Sequence, residues 1–241
     1  MPRKLPRELY VRRTLDVARE LIGMHLVHGD GELRRAGRIV ETEAYQGPHD
    51  LAAHSSRGLT QRTRVMFGPP GHAYVYLIYG FWNCLNVVTG PESVPHAVLL
   101  RALEPLRNCD GPTWGPGLLC RAMHIDRSLN GADLCGNRLW IEVPARFRPA
   151  RVARGPRIGV DYAGDWAERP WRFYDRDSPY VSTVSPAARR RAGITAAARS
   201  STFSTRMRPA SPAYSATSKP ERRARRSIGR FSRRTSPPKL K

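Results

Sequence analysis

The sequence predicts an α+β fold, a single domain around a mostly antiparallel, curved β-sheet with a protruding β-hairpin and flanking helices. Three observations predict it. Short runs rich in β-branched and aromatic residues follow one another with turn residues between them, whereas only two stretches have helical spacing. Regular spacing ends near Ser185, where bulky apolar residues become rare. We therefore expect a folded domain over residues 1–185 and a basic, disordered tail over residues 186–241.

Two helices are expected beside the sheet. The first runs from Thr14 through Ile22, because apolar residues recur there with helical spacing. Thr14 is suited to cap its start, and Gly23 is suited to end it. The second is expected at about residues 116–125, because Pro116 favours a first helical turn and apolar residues follow it.

The other regular segments are rich in β-branched and aromatic residues, so they are expected to be strands. They span residues 25–29, 38–47, 73–80, 81–90 and 97–106. The third and fourth of these meet with almost no loop, which indicates a hairpin with its tip near Tyr79 and Gly80. The ring of Tyr79 should therefore project into solvent.

Charge is distributed unevenly along the chain. The formal net charge is +21, and residues 187–241 alone carry sixteen Lys or Arg against one acidic residue, Glu221. The rest of the chain is moderately basic, which favours an acidic partner such as nucleic acid. Two interpretations of the tail stay open: a basic arm that adds phosphate contacts, or an out-of-frame or poorly selected extension.

Nothing in the composition indicates secretion or membrane insertion. The first residues lack an apolar signal-peptide core, and no apolar run approaches the length of a membrane span. We expect a cytoplasmic protein, associated with the nucleoid if it is bacterial. Four cysteines without metal-ligand spacing are expected to be reduced, buried packing residues: Cys84, Cys109, Cys120 and Cys135.

The stretch RIVETEAYQG at residues 38–47 sets two carboxylates and an aromatic ring side by side. Alternation along a strand puts Glu41, Glu43 and Tyr45 on one face, for which a solvated sheet face is the ordinary interpretation. Arg101, however, lies inside the apolar run VLLRAL, where a charge is costly unless it is paired. The two carboxylates are its natural partners, either in a structural ion pair or in a functional site.

Polar and aromatic residues on other apolar segments could belong to the same site. Tyr74 and Tyr76 share one face of their strand, where core packing is the ordinary interpretation. His54 could be a capping or core histidine, and Asn86 is a buried amide that must find hydrogen-bond partners. Taken one at a time, these residues do not identify a function.

In their order and spacing, however, these segments resemble one family, the alkyladenine (3-methyladenine) DNA glycosylases. The resemblance covers about residues 8–184 and does not extend to the tail. The segments that carry it are ARELIG at 18–23, RIVETEAYQGPHDLAAH at 38–54, MFGPPGHAYVYLIYG at 66–80, CLNVV at 84–88, VLLRALEPL at 98–106, RIGVDYAGDWAERPWRFY at 157–174 and SPYVS at 178–182.

The resemblance implies an enzyme that swings a damaged purine out of double-stranded DNA into a pocket. The tyrosine that fills the gap in the base stack matches Tyr79, and Phe81 follows it on the DNA-binding surface. The residues that enclose the extruded base match Tyr45, His54 and Tyr76. We expect a monomer that needs neither a metal nor a cofactor.

The resemblance also implies the chemistry. Glu43 matches the carboxylate that takes a proton from the attacking water, and Arg101 matches the arginine that holds this carboxylate. Asn86 matches a residue that crowds the exocyclic amine of normal guanine. The charged bases 3-methyladenine and 7-methylguanine leave readily, whereas hypoxanthine and ethenoadenine need protonation as they leave. No lysine matches a Schiff-base nucleophile, so a monofunctional enzyme that starts base excision repair is expected.

The chain departs from the family pattern at three positions. Phe81 and Trp82 stand where many members have Met and His, which makes the surface beside the hairpin tip bulkier. Both bear on lesion preference and on sensitivity to the opposite base. Thr63 stands where an asparagine is common.

Three other functions fit parts of the pattern. Glu41 and Glu43 could be the carboxylate pair of a sugar glycosidase. A metal-dependent hydrolase would take its ligands from a short stretch of chain: Glu43, His49, Asp50 and His54. A protein that binds DNA damage without excision would need the carboxylate or its arginine to be displaced.

Overall fold

A nine-stranded antiparallel sheet organises residues 1–194, which are the residues that the computed structural model describes. The strand pairings are antiparallel throughout these residues, and the helices are few and short. The expected α+β class is therefore confirmed. Within the same residues, no helix combines the length and the apolar character needed to cross a bilayer.

Three long strands dominate the sheet, and short strands complete it. In chain order the strands are β1 Arg3–Lys4, β2 His25–Asp30, β3 Leu33–Gln46, β4 Ala73–Ile78, β5 Trp82–Thr89, β6 His96–Arg107, β7 Leu139–Val143, β8 Val152–Gly155 and β9 Arg172–Asp175. The α-helices are α1 Arg7–Val11, α2 Thr14–Glu20, α3 Pro116–Ala122 and α4 Pro186–Arg191. Short 3₁₀ helices lie at His54–Arg57, Arg64–Phe67, Arg127–Leu129 and Asp161–Trp166.

Strand β3, which carries Glu41 and Glu43, is paired along both edges. The main strand order is β1-β7-β2-β3-β6-β5-β4, and β9 pairs with the second half of β3 beyond the end of β2. Glu41 and Glu43 lie opposite Tyr174 and Arg172 of β9, and the other edge of β3 pairs with β6. Register shifts between β3 and β6 flank Glu41, which marks a local irregularity of the ladder.

Helices cover the apolar part of the sheet and complete the core. Helix α2 packs against β3 and β6, and α3 packs against β5 and β6. Leu21, Leu85, Leu100 and Leu119 are fully buried in the main core cluster. Gly117 in the first turn of α3 lies against Trp82, the first residue of β5 after the hairpin tip.

The β4–β5 hairpin has its tip where the sequence predicts it. The backbone N–H of Phe81 donates a hydrogen bond to the Ile78 carbonyl (3.3 Å), and Tyr79 and Gly80 both have positive φ, at 53° and 77°. A non-glycine residue rarely adopts this conformation, so the tip holds Tyr79 in an uncommon backbone geometry. Its side chain is 79% exposed.

Helix α2 differs from the prediction at its start. The helix begins at Thr14, but Arg13 occupies the cap position and Thr14 caps nothing. The Thr14 side chain is buried instead, and its hydroxyl accepts a hydrogen bond from Thr89 (3.1 Å) and lies 3.2 Å from the His96 ring. Tertiary partners have therefore replaced the local capping role.

The described residues continue past the expected domain boundary at residue 185. Residues Pro186–Arg191 form helix α4, and the Ser185 hydroxyl caps it by accepting a hydrogen bond from the Ala188 N–H (3.2 Å). Composition alone predicted disorder here, but Arg189 is buried against the domain. The rest of the predicted tail, residues 195–241, lies outside the described residues.

Candidate active site

Glu43 is fully buried on the second half of β3. Its Oε1 accepts a hydrogen bond from the Ile158 N–H (2.8 Å). Its Oε2 accepts hydrogen bonds from the Tyr45 hydroxyl (2.9 Å) and from Arg101 (3.3 Å). Burial raises the pKa of Glu43 above its ordinary value, although Arg101 and the two hydrogen bonds oppose that rise. This face of β3 is therefore not solvated, and the ordinary interpretation of its pattern is wrong.

Arg101 on β6 connects the two carboxylates, as its place in an apolar run predicts. Its Nη1 lies 3.3 Å from Glu43 and its Nε lies 3.6 Å from Glu41. Burial opposes the charge of Arg101, but the two carboxylates outweigh burial and raise its pKa. Glu41, itself fully buried, is also bound by Arg172 (3.0 Å) and by both the N–H (2.8 Å) and the hydroxyl (3.0 Å) of Ser182.

A cavity of about 470 Å³ lies beside this network. Its walls include the three residues expected to enclose a base, Tyr45, His54 and Tyr76. Asn86 and Arg101 also line it. A space of this size with aromatic walls and a few polar groups is typical of a ligand pocket.

Glu43 does not line the cavity itself but lies directly behind its wall. The three residues that donate hydrogen bonds to its carboxylate, Tyr45, Arg101 and Ile158, all line the cavity. The carboxylate is therefore separated from the cavity by a single layer of contacting residues.

The rings of the cavity wall contact one another. The centroids of His54 and Tyr76 are 4.4 Å apart with an edge-to-face angle of 76°, and His54 Nδ1 lies 3.0 Å from the Tyr74 hydroxyl. Burial, together with Arg62 and Arg57, lowers the pKa of His54 to about 4. The histidine is therefore neutral near pH 7 and adds no charge to the wall.

The remaining predicted residues line the cavity or lie beside it. Asn86 is buried and its amide donates a hydrogen bond to the Tyr74 carbonyl (3.2 Å), which gives this amide the partner it needs. Tyr79 at the hairpin tip lines the cavity and projects into solvent. Phe81 is 67% exposed beside it and packs against Trp82, which also lines the cavity.

The sequence model of a family described as methylpurine-DNA glycosylase matches residues 8–179. This range contains the buried carboxylates, the aromatic cavity and the hairpin. The chain belongs to the methylpurine-DNA glycosylase family. It is therefore a hydrolase that acts on N-glycosyl bonds, and damaged DNA is its partner.

Relatives in this family match nearly the whole folded part of the chain. A protein from Legionella pneumophila (strain Lens) is 57% identical over 180 residues, which is 75% of this chain and 98% of its own length. A protein from Anaeromyxobacter dehalogenans (strain 2CP-1 / ATCC BAA-258) is 58% identical over 186 residues, 77% and 88% of the two chains. One from Methanocella arvoryzae is 52% identical over 196 residues, 76% and 97% of the two chains. Each is named "Putative 3-methyladenine DNA glycosylase".

The sequence did not predict a buried ion pair that joins two walls of this glycosylase cavity. Arg157 donates to both carboxylate oxygens of Asp50 (2.5 and 2.8 Å), and both side chains are fully buried. Its guanidinium also stacks on the Tyr45 ring, with its centre 4.8 Å from the ring centroid. Asp50 lies in the loop that leads to His54, and Arg157 precedes Ile158, so the pair holds these two cavity segments together.

A second residue missed in the sequence is Tyr162, in the 3₁₀ helix Asp161–Trp166. It lines the cavity, is 72% exposed, and donates a hydrogen bond to the Ala52 carbonyl (3.3 Å). Exposed tyrosines from two elements, Tyr79 and Tyr162, thus reach the cavity. Tyr162 is an aromatic residue within the segment RIGVDYAGDW, which was the one signal for it in the sequence. The local sequence pattern does not indicate that its ring faces the cavity.

The positions that depart from the family pattern have definite contacts. Trp82 stacks against the Arg121 guanidinium, 5.1 Å from the ring centroid. Thr63 is buried and closes a turn, because its hydroxyl accepts a hydrogen bond from the Thr60 N–H (2.8 Å) and donates one to the Gly58 carbonyl (3.0 Å). Thr63 therefore has a structural role in the loop beside the cavity.

The geometry does not support the metal or sugar alternatives. Among residues 1–194, no three His, Cys, Asp or Glu side chains come together as a group that could hold a metal. Asp50 is occupied by Arg157, and Glu43 by the three donors described above. Glu41 is enclosed by Arg172 and Ser182, so the two carboxylates do not face each other across a cleft as a glycosidase pair would.

Proposed function

We propose that this enzyme excises methylated and deaminated purines from double-stranded DNA as a monofunctional monomer, with Glu43 as the general base. The substrates would be 3-methyladenine, 7-methylguanine, hypoxanthine and ethenoadenine. The observation that carries the proposal is that Glu43 lies directly behind the wall of a cavity lined by Tyr45, His54 and Tyr76, where Tyr45 and Arg101 contact both the carboxylate and the cavity.

The aromatic cavity supports recognition of a flipped base. A nucleotide must leave the duplex before its glycosidic bond can be reached, and extrusion costs a few kcal/mol. Stacking on aromatic side chains returns roughly 1–3 kcal/mol per base, so Tyr45 and Tyr76 can offset most of that cost. The exposed Tyr79 would fill the space left in the duplex, and Phe81 would contact DNA next to it.

The hydrogen bonds of Glu43 within the described residues leave one of its acceptor positions unused. An ionised carboxylate has about four acceptor positions, and Tyr45, Arg101 and Ile158 occupy three of them. The remaining position, on Oε1, can accept a hydrogen bond from water. Glu43 would take a proton from that water while the water oxygen bonds to C1′ and the C1′–N bond to the base breaks.

The charge of the damaged base determines whether the base must also be protonated as it leaves. A 3-methyladenine or 7-methylguanine base is positively charged in DNA. The electrons of the broken C1′–N bond neutralise this charge, so the base leaves without being protonated. Hypoxanthine and ethenoadenine are neutral and must be protonated as they leave. An ionised Glu43 also stabilises the positive charge that develops on the sugar. Asn86 would exclude normal guanine by crowding its exocyclic amine.

The position of the lysine among the described residues supports a monofunctional reaction. Lys4 is the single lysine of residues 1–194, and its ammonium group donates to the Gly136 carbonyl (2.6 Å). Strand β1, which carries it, lies at the opposite end of the sheet order from the hairpin strand β4. The product would therefore be an abasic site with an intact backbone.

An excision assay in EDTA tests the proposal. Duplex oligonucleotides that each contain one lesion are incubated with the enzyme, and abasic sites are revealed by hot alkali. We expect base release with EDTA present and no strand cleavage before alkali. A strict requirement for added metal, or direct cleavage of the backbone, would contradict the proposed mechanism.

A further inference from the structure

Helix α4 is attached to the domain through one buried guanidinium. Arg189 is 7% exposed and donates hydrogen bonds to the carbonyls of Val181 (2.7 Å) and Ser182 (3.1 Å). Its guanidinium also stacks on Trp114, 4.9 Å from the ring centroid. Its neighbour Arg190 is exposed on the same helix. Arg189 therefore holds one short stretch of backbone, at residues 181–182.

That stretch of backbone is in direct contact with a buried carboxylate. Ser182 donates both its N–H and its hydroxyl to Glu41, at 2.8 and 3.0 Å. Arg172 and Arg101 complete the surroundings of Glu41, and Arg101 also contacts Glu43. A continuous chain of polar contacts therefore runs from Arg189 through Ser182, Glu41 and Arg101 to Glu43.

Glu41, Arg101 and Glu43 at the inner end of this chain are buried and Ser182 is partly buried, so solvent has little access to the inner contacts. Glu41 is fully buried, and a buried acceptor that loses its donors must find others or move. If Ser182 shifts, Arg101 is the neighbouring donor that Glu41 can recruit, since its Nε lies 3.6 Å away. A shift of Arg101 toward Glu41 draws it away from Glu43.

We propose that Arg189 is a positioning residue for the reaction, which holds Glu43 and Arg101 in place through Ser182 and Glu41. Helix α4 lies beyond residues 8–179, the range that the family model matches. The inference rests on the proposed role of Glu43 as the general base. It assigns to this segment a part in catalysis rather than in DNA binding.

The test compares full-length variants in single-turnover excision of a lesion that the wild-type enzyme removes. Arg189→Ala, Ser182→Ala and their double variant are compared with Arg190→Ala, which removes the same charge from an exposed position of the same helix. Varying the enzyme concentration gives the maximal rate and the half-saturating concentration separately. Melting temperature and the amplitude of product formation report the folded fraction.

We expect Arg189→Ala to lower the maximal rate about tenfold, because small displacements of a catalytic group are costly even when the mutation is distant. The half-saturating concentration should match that of Arg190→Ala. Ser182→Ala should have a similar effect, and the double variant should be no more than about twofold slower than the slower single variant, since both act on one path. Arg189→Lys, which keeps a donor, should recover part of the rate.

Three results would overturn the inference: equal maximal rates for Arg189→Ala and Arg190→Ala, a slow rate explained entirely by lost folded protein, or multiplicative effects in the double variant. Ser182→Ala removes only a hydroxyl group, so this variant is expected to fold. It therefore still tests the inference if Arg189→Ala does not fold. Failure of the wild-type enzyme to excise any lesion would contradict the proposed function instead, which separates the two outcomes.

Discussion

At the scale of single residues, the central fact is a carboxylate held between two opposing influences. Burial disfavours the charge of Glu43, whereas Arg101 and the donors Tyr45 and Ile158 favour it. The balance raises its pKa, which brings the group nearer to the pH at which a general base works efficiently. The groups that face Glu43 are these three and, across Arg101, the second carboxylate, Glu41.

The pH dependence of excision should report this pKa. Glu43 acts as a base only when ionised, so activity is present above its pKa and is lost as the pH falls through it. Because the pKa lies above the ordinary value of 4.5, the loss should be centred above pH 4.5. A 7-methylguanine substrate suits the measurement, since it carries its charge already, and the rate of depurination without enzyme is subtracted.

A matched variant assigns that transition to Glu43. Arg101→Gln removes the largest charge that favours the ionised form, so the midpoint should move to higher pH. The pKa of His54 is lowered to about 4, so its ring is expected to lose its charge below the midpoint of Glu43. An unchanged midpoint in Arg101→Gln would contradict this account of the site.

At the scale of elements, the β4–β5 hairpin presents an exposed ring beside the cavity. If Tyr79 fills the gap left by a flipped base, Tyr79→Ser should weaken binding to a lesion duplex by about 1–3 kcal/mol, the usual range for one stacked ring. Binding to an undamaged duplex should change much less. Fluorescence anisotropy with both duplexes measures the difference, and equal losses would argue against the role as a plug.

The packing of helix α3 on this hairpin gives a stability prediction. A Cβ at Gly117 would lie 2.7 Å from the Trp82 ring, so Gly117→Ala must displace that ring. Overpacking of this kind costs roughly 1–3 kcal/mol, and thermal unfolding should show a lower melting temperature. Gly115→Ala is the control, because its Cβ would meet Leu118 at an ordinary 3.6 Å. Equal melting temperatures for the two variants would contradict the packing described here.

Strand periodicity could predict one half of the site. Alternation put Glu41, Glu43 and Tyr45 on one face, and the cost of an unpaired charge predicted that Arg101 would meet the carboxylates. Both inferences use only local pattern and burial. The β4–β5 hairpin could be predicted for the same reason, since two strand-like runs meet at Tyr79 with no room for a loop.

The other half depends on contacts between distant parts of the chain. Asp50 and Arg157 are 107 residues apart, and nothing in either local segment indicates the other. Thr14 has the residue type of a helix cap, but its hydroxyl is taken by side chains from distant strands. Helix α4 was missed because its composition predicts disorder, whereas burial of Arg189 against Trp114 holds it.

At the scale of the whole molecule, the basic charge is concentrated outside the described domain. Residues 195–241 contain thirteen Lys or Arg and one acidic residue. A tethered cationic segment attracts DNA without sequence preference and steepens the salt dependence of binding. Removing residues 195–241 should therefore flatten the plot of log affinity against log salt concentration.

The same deletion should leave the maximal excision rate unchanged, because the cavity and its supporting contacts lie within residues 1–194. Titrations with an undamaged duplex at several salt concentrations give the slope for both proteins. An identical slope would show that this segment contributes nothing to binding, which is the second interpretation of the tail.

The proposed mechanism requires the buried carboxylate of Glu43 to take part in the chemistry and not only to hold the fold. Glu43→Gln preserves the size of the side chain but keeps one acceptor oxygen instead of two, and it cannot accept the proton of water. Single-turnover excision and lesion binding, measured side by side, test the claim most directly. We expect the excision rate to fall about 100-fold or more, the range for loss of a general base, with binding of the lesion duplex retained. Excision at close to the wild-type rate would contradict the account.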